Sequence, residues 1–75
     1  MIAPKPAQRV WRVRKNHTWI DAQVLDEADT GAAEIRFYYD GALVFARRWP
    51  SRDAALTHAD DQLRELQRTG WVTHW

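Results

Sequence analysis

The stretch RVWRVRKNHTWIDAQVL, residues 9–25, alternates apolar and polar side chains on both sides of an Asn-His step. β-Branched and aromatic residues dominate both flanks, which is the composition of strands. Asn16 tolerates the positive φ that a two-residue hairpin turn requires. With Asn16-His17 as the turn, Lys15 lies opposite Thr18. Counting back pairs Arg14 with Trp19, Val13 with Ile20, Arg12 with Asp21 and Trp11 with Ala22. Successive side chains on a strand point to opposite faces. One face then collects Trp11, Val13, Ile20, Ala22 and Val24, and the other Arg12, Arg14, Trp19, Asp21 and Gln23. A slip of one residue would mix the two sets, so their clean separation supports this register. It also sets Arg12 against Asp21, and Arg14 over the Trp19 ring. The two strands are expected at about Arg9–Lys15 and Thr18–Leu25.

Downstream, DEADTGA (26–32) reads as a polar loop. A strand is expected at about Glu34–Tyr39, then Asp40-Gly41, then a strand at about Leu43–Trp49. Asp-Gly between apolar runs is a strong hairpin signal. A two-residue turn groups Ile35, Phe37 and Tyr39 with Val44 and Ala46. A three-residue turn with a bulge at Gly41 groups Ile35 and Phe37 with Leu43, Phe45 and Trp49. The second gathers the bulkier side chains and is preferred. It leaves Glu34, Arg36, Tyr38, Val44 and Arg48 on the opposite face. Pro50 ends the strand, Ser51 is a good helix N-cap, and Asp53 suits the positive helix end. A helix is expected over Arg52–Thr69, with Leu56, Ala59, Leu63 and Leu66 as its apolar stripe. Thr57, His58, Asp61, Arg64, Glu65 and Arg68 fall outside that stripe, and Asp60–Arg64 is an i,i+4 ion pair. Gly70 ends the helix, and Trp71 can pack back on its last turn.

The expected architecture is α+β: a four-stranded antiparallel meander followed by one C-terminal helix packed on one sheet face (ββββα). Residues 1–8, with Pro4 and Pro6, read as a flexible leader, and residues 9–75 as a single small domain. Seventy-five residues without cysteine sit near the lower limit of independent stability. Five tryptophans, two tyrosines and two phenylalanines supply core area instead of disulfides. The absence of cysteine fits a cytoplasmic protein, and the N-terminus lacks the apolar run of a signal peptide. No stretch is long enough to span a membrane.

Charge bounds the function. The net charge of +1 is distributed in blocks: five Lys/Arg and no acid in residues 1–20, then five acids and no base in residues 21–34. A dedicated phosphate binder carries a larger positive excess, whereas blocks of alternating sign suit strands paired with one another. His17, His58 and His74 lack metal-ligand spacing, and DEADTGAAE does not match a calcium loop. No cofactor is expected. No nucleophile motif occurs, and one sheet with one helix offers little enclosed volume, so no enzymatic activity is expected.

Trp19 stands out. It falls on the uncovered face beside Arg12, Arg14, Arg36, Tyr38 and Arg48, and these six residues are the candidate interaction surface. Rings and guanidinium groups suit single-stranded nucleic acid, where bases stack and phosphates pair. They suit a protein interface equally well. Asp21 and Glu34 share the face and repel phosphate. The first expectation is therefore a small protein-interaction module pairing with itself as a homodimer, or with another protein, through the open face or an edge. Single-stranded nucleic-acid binding is the alternative.

The segments EIRFYYDGALVFARRWPSRDAAL (34–56) and LRELQRTGW (63–71) resemble short bacterial proteins with no assigned activity. In element order alone, the chain is similar to the single-strand-binding transcriptional coactivators. That likeness implies a dimer with a nucleic-acid face. It carries over no motif, and the acids on the open face depart from a basic groove.

Overall fold

The computed structural model describes residues 7–27 and 29–73. Four antiparallel strands follow in order: β1 (Gln8–Lys15), β2 (Thr18–Asp26), β3 (Ala33–Tyr39) and β4 (Ala42–Trp49). The helix α1 (Arg52–Arg68) comes next, then a short strand, β5 (Val72–Thr73). The sheet order is β4-β3-β2-β1-β5. The α+β meander with its C-terminal helix is therefore as expected, with one added strand. β5 pairs with β1 at Val13 and Arg14. The expected leader, up to Pro6, and Trp75 lie outside the described residues, and Gln8 already belongs to β1.

The first hairpin has the register read from the sequence, from Lys15↔Thr18 back to Trp11↔Ala22. Asn16 takes φ 57° at the turn. Beyond Trp11 the ladder slips by one residue, so Arg9 pairs with Gln23 and Val10 is extra. A bulge of this kind lets two adjacent side chains face one way. Val10 and Trp11 both pack into the core beneath the helix.

The second hairpin corrects the preferred reading. Asp40 and Gly41 both adopt positive φ, 50° and 86°, so the turn closes in two residues with Tyr39 opposite Ala42. The extra residue sits further along. Tyr38 pairs with Leu43 and Phe37 with Phe45, leaving Val44 as the bulge. From Phe37↔Phe45 to Ala33↔Trp49 the pairing is that of the three-residue alternative. Val44, expected on the open face, instead lies on the helix side, beside Trp11, Phe37 and Leu66. Leu43 takes its place on the open face, opposite Tyr38.

The helix begins as expected. The Ser51 hydroxyl accepts from the Ala54 N–H at 3.1 Å, and Asp53 lies in the first turn. It ends in a Schellman motif: Gly70 N–H donates to the Gln67 carbonyl and Trp71 N–H to the Leu66 carbonyl. Gly70 supplies the required φ of 99°. Trp71 then packs against the cluster of Trp11, Val13 and Ala22.

The buried centre of α1 is Ala55 and Ala59, packed on Val24, Ala33 and Ile35. Leu56, Leu63 and Leu66 flank this line and are half-buried. His58, expected outside the apolar stripe, is on the β4-facing flank. Its ring stacks with Phe37 and Phe45 (centroids 5.9 Å each) and lies 4.8 Å from Trp49. With a centre of small residues, the flanking positions also meet the sheet, and His58 is one of them.

Candidate interaction surface

The sheet face away from α1 carries the predicted residues, but not as one patch. Arg12 and Asp21, opposite each other on β1 and β2, form a two-pronged pair (Nε–Oδ1 2.6 Å, Nη2–Oδ2 3.2 Å). The Asp21 side chain is only 13% exposed, and Arg9 approaches its other side at 4.0 Å. The Arg12 and Arg14 guanidinium carbons lie 5.0 and 5.1 Å from the Trp19 ring centroid. Arg14 also donates to the Asn16 carbonyl at 3.0 Å. Trp19 is further fixed by its backbone. Its N–H donates to the Asp40 carboxylate and its carbonyl accepts from the Asp40 N–H, both at 2.9 Å. Arg12, Trp19, Asp21, Asp40 and Gly41 line a shallow open depression of about 440 Å³.

Tyr38 is next in this row, opposite Asp21. Arg36 follows, bonded to Glu34 on its own strand. The hydrogen bond that Arg36 donates to Glu34, and then one to Tyr38, raise the Arg36 pKa above its ordinary value. Arg48 does not join the group. It sits opposite Glu34, six residues along the strand from the Trp19 row, or about 20 Å at strand rise. There it grips Glu27 with two bonds, at 2.8 and 2.9 Å. Those bonds, together with the Thr30 hydroxyl, hold the Glu27 carboxyl below the usual carboxylate range. The basic and acidic blocks of the sequence thus meet one another: Arg12 with Asp21, Arg48 with Glu27, and Arg52 with Asp26 at 2.6 Å.

Of β4, the candidate surface expected from the sequence holds Arg48 but none of the apolar residues. β4 is one of the two edge strands, and every residue from Ala42 to Arg48 is exposed. Leu43, Val44 and Phe45 are 52%, 63% and 37% exposed, and neighbouring Tyr39 is 45% exposed. On the helix side, Val44 and Tyr39 border an apolar notch of about 160 Å³ with Trp11, Ile20, Phe37 and Leu66. The signal was present as an uninterrupted apolar run in the last strand of a meander. Alternation alone assigned half of that run to the core.

Among the described residues, no helix is long and apolar enough to cross a membrane, and no group of three or more His, Cys, Asp or Glu is placed to hold a metal ion. Comparison with protein families, curated proteins and solved structures finds no match to this chain.

Proposed function

We propose that this chain is a small non-enzymatic interaction module that associates with itself, and that it does so through the β4 edge rather than through the open face. The observation that carries this reading is an eight-residue edge strand with three consecutive exposed apolar side chains. A long apolar edge offers unpaired N–H and C=O groups and apolar area together, which favours addition of another strand. A chain short of core gains stability from such pairing, because association adds to folding free energy. The open face supports the role less well. Arg12, Arg36 and Arg48 are each engaged by a carboxylate, which lowers the charge available to phosphate. A cysteine-free chain suits a reducing cytoplasm.

Sedimentation equilibrium from micromolar to millimolar concentration tests the proposal. The expected mass is that of two 8.8 kDa chains; a monomer throughout overturns it. Single-strand binding remains the competing reading, carried by the two guanidinium groups over Trp19. Tight binding of a labelled oligonucleotide at low salt, lost at high salt and in Trp19→Ala, would favour it.

A further inference from the structure

The self-association just proposed has a definite geometry if β4 carries it. We propose that two copies pair antiparallel, β4 against β4, about a two-fold axis between Val44 and Phe45, joining their sheets into one.

The bulge selects this register. Across a strand pair, opposed side chains must share a face. Before the bulge, Ala42 points to the helix side and Leu43 to the open side, opposite Tyr39 and Tyr38. Val44 and Phe45 both point to the helix side, Val44 beside Leu66 and Phe45 against His58. After it, Ala46 is on the open side opposite Arg36, and Arg47 on the helix side opposite Ile35. Pairing about the Val44–Phe45 step sets Leu43 against Ala46 of the second copy, Ala42 against Arg47, and Val44 against Phe45. Every opposed pair then shares a face. Moving the axis by half a residue or one residue either way puts at least one pair on opposite faces. The two-fold also brings the exposed Val44 and Phe45 of both copies together on the helix side, where each chain has its apolar notch.

Charge selects the direction. β4 has the Asp40-Gly41 turn at one end and Arg47-Arg48 at the other. Antiparallel pairing lays the Arg47-Arg48 end of each copy beside the turn end of the other and keeps the two arginine pairs apart. Parallel pairing would stack arginines on arginines. Among the described residues Arg47 makes no ion pair within its own chain, although it lies 4.3 Å over Trp49. Such arginines and Pro50 also restrict pairing to the apolar centre of the strand, as edge strands commonly require.

The test uses the absence of native cysteine. Leu43→Cys and Ala46→Cys are made as separate chains; both positions are exposed on the open side of the strand, so neither change disturbs the core. Under mild oxidation, each chain alone should remain uncross-linked. An equimolar mixture should give the mixed disulfide, because only Leu43 opposite Ala46 places Cβ atoms within bridging range. Either variant cross-linking efficiently with itself overturns the register. A wild-type dimer by sedimentation with no cross-link in the mixture overturns the β4 geometry while leaving self-association standing. A wild-type monomer by sedimentation overturns both.

Discussion

The Trp11 indole N–H donates to the main-chain carbonyl of Ala59 at 2.9 Å, a buried hydrogen bond between residues 48 apart in sequence. It joins the centre of β1 to the centre of α1. Removing the donor leaves Ala59 with its helical partner alone and takes away part of a ring that stacks on Phe37 at 5.6 Å. Trp49 provides an internal comparison, since its Nε1 is buried with no hydrogen-bond partner among the described residues. Losing a satisfied buried donor costs about 1–2 kcal/mol, whereas losing an unsatisfied one removes a penalty. Trp11→Phe is therefore expected to destabilise the fold by roughly 2 kcal/mol, including lost packing, and Trp49→Phe by about 1 kcal/mol or less. Urea denaturation followed by circular dichroism measures both. Equal losses would mean that the Trp11–Ala59 bond contributes little.

Arg12 and Arg14 sit over the same ring but differ in what else they hold. Arg12 neutralises the largely enclosed Asp21, while Arg14 donates to a turn carbonyl in solvent. Arg12→Ala is expected to destabilise the fold more than Arg14→Ala, with Arg9 at 4.0 Å recovering part of the loss. Arg14→Ala is expected to cost about 0.5 kcal/mol, the scale of an exposed cation–ring contact. The same denaturation series checks the order. If the Arg14 variant is the less stable, Asp21 does not depend on Arg12.

Much of this arrangement was legible in the sequence, and the exceptions share a cause. The first hairpin could be paired residue by residue because its apolar set falls on one parity. The Arg12–Asp21 and Arg14–Trp19 contacts followed directly from that. The two bulges break parity: Val10 with Trp11, and Val44 with Phe45, put adjacent apolar residues on one side. Alternation cannot represent that, so Val44 was assigned to the wrong face and the edge patch was divided. Arg48 shares a face with Trp19, but the register separates the two along the strand. His58 falls outside a stripe drawn through Leu56, Ala59, Leu63 and Leu66. The helix in fact sits on Ala55 and Ala59, which brings its flanks to the sheet.

Glu27 should give the loop between β2 and β3 an acid-sensitive contribution. Its carboxyl is held below the usual range by Arg48 first and by Thr30 second. A group with a lowered folded pKa adds stability above its unfolded value and loses it as pH falls through the folded one. The loss belongs to the interval below about pH 4.5, the ordinary glutamate value. Since Glu27 is exposed, the contribution is small. Comparing acid unfolding of the wild type with Glu27→Gln checks it: the wild type should be the more stable at neutral pH, and the curves should converge toward pH 3 (an approximate limit). Curves that stay parallel throughout would contradict the Glu27–Arg48 attribution.

Amide hydrogen exchange measured as a function of protein concentration tests self-association through β4 most directly. Pairing of two edges gives outward-facing N–H groups a partner that the monomer lacks. Outward amides within Ala42–Arg47 are therefore expected to exchange progressively more slowly as concentration rises, while amides in the β1–β2 turn at Asn16 and His17 do not change. Concentration-independent exchange throughout β4, or protection appearing instead on the β1–β5 side, would contradict the account.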